Sequence, residues 1–358
     1  MDIVDLLQQS ELKHLRYGFH KLVYIRPTQF CPASCRHCSA RSDPSTQHTA
    51  DVEMLEKWVT SITKLSGLEW IGVEGGEPFA APAQLKVILR IAQEHGVQRS
   101  VLTNAYWAKD EHRAREVLRK YPKINFLIIS ADEFHDEFIP MARVIAALRA
   151  AQGRVDRLGV QMCMGPEYQA FRAKFDHLAG SDLLDDIEII ETPLQYIGRA
   201  TETQIMERPQ DTYELPDSIC HFLGTPVLRE DGTLVACCQQ DAVLSKRPNL
   251  FQLGNLNKFG ADELLSLVDS DVYFQTLRVF GPKKIAQTAI ERDWGWEPKA
   301  YLQGNVCELC MHLASDQQVV DGFRVEFDTP KYRKALALGR SILFDEPMPE
   351  DILAPELV

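Results

Sequence analysis

From residue 22 to residue 190 the chain alternates short β-branched or aromatic runs with stretches of helical periodicity, and this alternation restricts its fold more than any other feature. Strands are expected over 22–25, 68–73, 100–103, 124–130, 158–164 and 187–190. Between them apolar residues recur at helical spacing. Leu55, Trp58, Val59, Ile62 and Leu65 run to a stop at Ser66-Gly67, and Leu85, Ile88, Leu89 and Ala92 to one at His95-Gly96. Further helices are expected over 110–120, 140–152 and 168–178. Strand, helix, strand in repetition implies parallel strands joined by crossover helices. Six such strands fit a doubly wound sheet or a partial α/β barrel, and periodicity does not choose between them.

The first strand leads through Pro27 into Cys31-Pro32-Ala33-Ser34-Cys35-Arg36-His37-Cys38. Three thiolates at C-x3-C-x2-C spacing can hold three corners of a [4Fe–4S] cluster and leave the fourth iron without a protein ligand. An open position marks a catalytic metal site, although on spacing alone a zinc knuckle or a redox thiol cluster competes. The spacing resembles the signature of the radical S-adenosylmethionine (radical SAM) enzymes. That resemblance implies that the open iron chelates the amino and carboxylate groups of SAM. An electron from the cluster then cleaves SAM to methionine and a 5′-deoxyadenosyl radical. It places His37 where the family carries an aromatic residue beside the cofactor, and it implies a partial (β/α)6 barrel with the cluster loop after its first strand.

Gly75-Gly76-Glu77-Pro78 ends the second expected strand, where a tight glycine turn exposes backbone groups to a ligand or simply turns the chain into a helix. In the family such an element hydrogen-bonds the amino group of SAM. Asn104, Ser130 and Asp132 follow the third and fourth strands, where polar side chains face a barrel mouth, and the resemblance makes them SAM contacts. Ser130 or Asp132 could equally cap a helix starting at Glu133. Glu133, His135 and Asp136 form a titratable cluster that reads either as a general base or as an acidic first helical turn, and Glu191 after the last strand is similarly open. Gly198-Arg199-Ala200 resembles an element of radical SAM enzymes with extra clusters, and there Arg199 would pair with the SAM carboxylate.

Cys220, the pair Cys237-Cys238, and Cys307-x2-Cys310 can supply four thiolates to a second [4Fe–4S] cluster, with zinc as the competing metal. Their order resembles the SPASM/twitch extension, in its single-cluster twitch form because no later cysteines follow Cys310. Neighbours on a strand face opposite sides, so only one of Cys237 and Cys238 is expected to be a ligand. The other, with Cys163 on the fifth strand, reads as a small hydrophobe or as a hydrogen-atom donor to a substrate radical. The expected organisation is a barrel over 1–200, a linker over 201–219 containing Arg208-Pro209-Gln210-Asp211, an auxiliary-cluster domain over 220–315, and a helix and tail over 316–358. A hairpin is expected around Asp231-Gly232, a helix near 332–343, and from 345 a poorly ordered end or a docked strap.

A formal charge of −12 with no basic stripe argues against nucleic acid or an anionic membrane as partner. The first residues lack an apolar signal region and no apolar run reaches bilayer length, so a cytoplasmic protein is expected, in which cysteines serve as metal ligands. The expected function is SAM cleavage followed by hydrogen abstraction, for oxidative cross-linking or dehydrogenation of a ribosomally made peptide. Dehydrogenation or epimerisation of a sugar or aminocyclitol is the alternative. An iron–sulfur electron carrier is the non-enzyme competitor, and it would need neither an open iron nor a glycine element. The chemistry requires an external one-electron reductant of flavodoxin or ferredoxin type. About twenty residues before the first strand are too few for a winged-helix leader-binding domain, so a separate leader-peptide-binding protein is expected.

Overall fold

Leu22–Ile25 (β1) is an apolar run because it lies inside a sheet, with a strand on each edge and a helical layer over one face. The computed structural model describes residues 20–220 and 222–348. The chain continues through α1 (Val52–Ile62), β2 (Trp70–Val73), α2 (Pro82–Glu94), β3 (Gln98–Thr103), α3 (Glu111–Leu118), β4 (Phe126–Ser130), α4 (Met141–Ala151), β5 (Arg157–Met164), α5 (Tyr168–Ala179) and β6 (Glu188–Pro193). Helix starts are fixed by side chains: Asp51 accepts from the Met54 amide and Asp110 from the Arg113 amide. The expected stripe of α1 is the buried one, with Leu55, Trp58, Val59 and Ile62 against the sheet.

β1 to β6 pair in parallel and in sequence order, with Ile25 opposite Val73, Val73 opposite Val101, and Thr103 opposite Ile129. Every crossover therefore steps the same way and the order never reverses. A doubly wound sheet would reverse, so the strands form a partial barrel. Val23, Ile25, Ile71, Val101, Leu127 and Val160 build the core between strands and helices. On the concave face Gly72 lets the Tyr24 ring cross it, since a Cβ there would fall 2.5 Å from two ring carbons.

The C-terminal segment joins this sheet. Val227–Leu228 (β7) pairs in parallel with β1, Thr233–Val235 (β8) returns antiparallel through the Asp231-Gly232 turn, and Gln252–Asn255 (β9) adds outside it. Gly232 has φ +85°, as the expected hairpin requires. Beyond β9 the chain is helical: α6 (Ala261–Ser270), α7 (Val272–Val279), α8 (Pro282–Glu291), α9 (Val306–Ala314), α10 (Gln317–Phe327) and α11 (Pro330–Phe344). They enclose a second core around Tyr273, Phe274, Trp296, Leu309 and Phe323. The stretch expected as a linker contributes Asp211–Thr212, which pairs antiparallel with Tyr301–Leu302. The expected tail begins docked, with Glu346 accepting from Arg278 at 2.5 Å, and its end lies outside the described residues. Among the described residues no helix is long and apolar enough to cross a membrane.

Candidate active site

Leaving β1, the chain passes Arg26 and Pro27 and folds the cysteine loop across the barrel mouth. Cys31, Cys35 and Cys38 line a cavity of about 450 Å³ there. Backbone bonds fix the loop, from the Cys38 amide to the Cys35 carbonyl (3.1 Å) and from the Cys31 amide to the Asp43 carbonyl (3.3 Å). Arg199 clamps it from outside. Its guanidinium donates to the Cys35 and Ser42 carbonyls at 2.8 and 2.9 Å, and its amide to the Cys38 carbonyl at 3.0 Å. The side chain expected at a SAM carboxylate is thus spent on the loop that carries the thiols.

Gly75 and Gly76 let two backbones touch. The Gly76 amide donates to the Thr28 carbonyl (2.9 Å) and the Glu77 amide to the Phe30 carbonyl (2.8 Å). A Cβ on Gly76 would lie 2.6 Å from the Phe30 carbonyl carbon, and Gly75 has φ +120°. Pro78 opens a single helical turn to Ala80. Glu77 is buried; one carboxylate oxygen accepts from the Phe79 amide (3.0 Å) and the Thr103 hydroxyl (2.7 Å), the other from the Asn104 amide (2.8 Å). Burial pushes its carboxyl up to about 7 against these bonds. Three of roughly four acceptor sites are filled, which leaves room for one further donor.

Asn104 donates from Nδ2 to Cys31 Sγ at 3.4 Å. Ser130, at the end of β4, lines the cavity. Asp132 caps the turn, its Oδ1 accepting from the Phe134 and His135 amides at 3.0 Å, and its Oδ2 lies 3.5 Å from His37 Nε2 in the cavity wall. His135 Nδ1 is 2.9 Å from Asp132 Oδ1. Burial opposes charge on this pair, but the carboxylate outweighs it and holds the imidazole well above its ordinary range, aided by Cys35. His135 and His37 in turn overcome burial to hold Asp132 down at about 2, while burial lowers His37 to about 4. His37 stacks on Phe134 with ring centroids 4.8 Å apart.

Other expected groups sit elsewhere. Glu133 is absent from the cavity wall and turns its carboxylate toward Gly165 and the Glu167 backbone. Asp136 accepts from the Met141 amide and Lys174, a structural assignment. Glu191 lines the cavity, with its carboxylate held by the Tyr168 hydroxyl and Arg172.

The adjacent cysteines lie past the end of β8 rather than on it, and they part there. Cys238 lines the cavity, and Cys237 is buried in the second core, where the fields of Cys220, Cys307 and Cys310 reach it. Burial first, and the neighbouring sulfurs second, raise the Cys237 and Cys310 thiols well above their ordinary range. A bound metal would replace those protons, so the set fits a thiolate-ligated group. Cys163 also lines the cavity, where it packs beside Cys35 and Phe134 on the side of the cysteine loop, and burial pushes its thiol up to about 12.

Sequence reasoning missed Arg26, Tyr24, Gln161, Phe222 and Gln240, all in the cavity wall. Arg26 carried a usable signal, since it is the residue directly after a barrel strand. The Radical SAM superfamily matches residues 25–168, which run from the last residue of β1 through the cysteine loop, the glycine turn and the strands up to β5. The chain carries a radical SAM domain. This family implies a [4Fe–4S] cluster and SAM, and Cys31, Cys35 and Cys38 in one loop under the glycine turn fit that pair. Over 224 residues the chain is 24% identical to the putative peptide biosynthesis protein YydG of Bacillus subtilis (strain 168), a match covering 62% of this chain and 70% of that protein. Among solved structures it is similar to Streptococcus suis SuiB bound to S-adenosylmethionine, with TM-score 0.49, 14% identity and coverage of 69% of this chain and 67% of SuiB. It is also similar to anSMEcpe with bound AdoMet and Cp18Cys peptide, with TM-score 0.47, 15% identity and coverage of 68% of this chain and 79% of the other.

Proposed function

We propose that this radical SAM chain is a twitch-type enzyme that inverts a stereocentre of a peptide, removing a hydrogen atom from carbon on one side of the cavity and returning one from Cys238 on the other. The observation that carries the reading is the parting of the cysteine pair. Cys238 shares a wall with the three loop cysteines, and Cys237 turns to the second thiol set. When bound, the cluster and SAM supply a carbon radical able to take hydrogen from an unactivated C–H bond.

The chain's own residues do the rest. The cysteine loop, Asn104 and the glycine turn fix the cofactor side, and the wall around Tyr24, Phe222 and Cys238 excludes water. Cys238 gives its S–H hydrogen to the substrate radical, so that an S–H bond breaks and a C–H bond forms. The sulfur radical left behind takes one electron from the external flavodoxin- or ferredoxin-type reductant and one proton from solvent. Return to the opposite face favours Cys238 over Cys163, because Cys163 packs on the cysteine-loop side. The peptide class is supported by the resemblance to YydG. Oxidation is the second reading, favoured by Cys237 and the three thiols near it, Cys220, Cys307 and Cys310, which would hold an auxiliary [4Fe–4S] cluster.

The test is to incubate the reduced enzyme and SAM with the peptide encoded beside its gene, in light and in heavy water. Inversion leaves the mass unchanged in light water and adds one deuterium in heavy water, since thiols exchange with solvent. The deuterium uptake should vanish in Cys238→Ala. A product lighter by two hydrogens would decide for oxidation.

A further inference from the structure

Arg26 is 1% exposed and lies in the wall of the active cavity. Its Nη1 donates to Gln240 Oε1 at 2.9 Å, whereas its Nε and Nη2 meet no acceptor among the described residues. A guanidinium keeps its charge even when buried, and buried donors are expected to find partners, so this side chain is built for an anion that arrives with a ligand. Its planar fork matches a carboxylate at two points.

The rest of the wall sharpens the selectivity. Glu74, Glu77, Asp132 and Glu191 also line the cavity, and among the described residues Arg26 is its one arginine or lysine. Glu77 is tied up by its own hydrogen bonds, Asp132 by the histidines, and Glu191 by Tyr168 and Arg172. An incoming acid is therefore drawn to one place. That place belongs to the C-terminal side of the cavity: Gln240 comes from the segment bearing Cys238, and its Nε2 donates to the Cys238 carbonyl at 3.1 Å. We propose that Arg26 and Gln240 form a carboxylate subsite that anchors an acidic group of the substrate, a side-chain or C-terminal carboxylate, beside Cys238. The assignment rests on reading the cavity as the substrate chamber. SAM also carries a carboxylate, and Arg26 lies against Gly75 of the glycine turn, so the experiment separates the two sources.

The anaerobically reconstituted full chain is saturated with SAM, and binding of N-acetyl-L-glutamate and of N-acetyl-L-glutamine is followed by saturation-transfer NMR. The acid should bind about 10- to 100-fold more tightly than the amide, and Arg26→Gln should erase that preference, as loss of a charge-assisted pair does. The SAM dissociation constant of Arg26→Gln should match that of the wild type, and its Tm should not fall, because the change removes a buried charge that the chain leaves partly unpartnered. Equal binding of acid and amide would overturn the subsite. So would an unchanged preference in Arg26→Gln, or a tenfold or greater loss of SAM affinity with the acid preference intact, which would assign Arg26 to the cofactor. These are equilibrium readouts, so they stand or fall separately from the isotope test of inversion.

Discussion

Replacing Gly76 with alanine tests how the two motifs of the site depend on each other. The added Cβ would sit 2.6 Å from the Phe30 carbonyl carbon and 2.7 Å from the Gln29 carbonyl carbon, where ordinary contact begins at 3.4 Å. Both obstacles are backbone of the cysteine loop and neither has a rotamer to escape into, and the Phe30 carbonyl oxygen lies nearer still, so loop and turn must part by more than about an ångström. That movement breaks the bonds from the Gly76 and Glu77 amides to Thr28 and Phe30. Overpacking costs about 1–3 kcal/mol and each lost bond about 1 kcal/mol, giving a destabilisation of about 3–5 kcal/mol centred on the loop. The assay is Tm together with iron per chain after anaerobic reconstitution, with Gly96→Ala as control. Gly96 has φ +71° but nothing within 4 Å of a new Cβ, so its alanine variant should lose some stability and keep all its iron. Gly76→Ala should lose the roughly four irons of the loop cluster and keep those of the proposed auxiliary cluster. Wild-type iron and Tm in Gly76→Ala would refute the packing argument.

Cys237→Ala should lose the iron of the proposed auxiliary site and Cys238→Ala should retain it, measured by iron and sulfide content, because Cys237 is buried where the fields of Cys220, Cys307 and Cys310 reach it while Cys238 lines the cavity. Arg199→Ala removes two charge-assisted bonds to loop carbonyls and should destabilise the chain by about 2–4 kcal/mol while speeding iron release to a chelator. In metal-free protein, Glu77 should impose a pH slope on stability. Its folded carboxyl titrates at about 7 and its unfolded one near 4.5, so the folded chain binds more protons between these values. Its contribution is full below pH 4.5 and is lost as the pH rises through 7, and denaturant titrations of Glu77→Gln should lack this component.

The barrel was legible because its elements keep distinct patterns: α1 shows its apolar stripe, and a strand such as Trp70–Val73, buried on both faces, reads as a short apolar run. Strand order was not, since β1 and β6 have no residues that name their neighbours, and the resemblance supplied it. The attachment of β7 to β1 was hidden for the same reason. The helices past β9 were hard to read for a different one. Every residue of α7 is buried, including Gln275, Thr276 and Arg278, so it has no polar face to set a period. At the site the cysteines and glycines could be read because local spacing carries their geometry. Asp132 had two readings; the structure shows the cap through Oδ1, and Oδ2 is turned to His37 in the cavity wall. Arg26 and Gln240 escaped because their meaning lies in a contact across 214 residues.

The most direct test of the account is whether the cysteine loop makes a SAM-cleaving centre. Anaerobically reconstituted protein, given dithionite and SAM and no substrate, should release 5′-deoxyadenosine and methionine in equal amounts, and Cys35→Ala should release neither. A wild-type chain that holds its full iron and leaves SAM intact would contradict the reading.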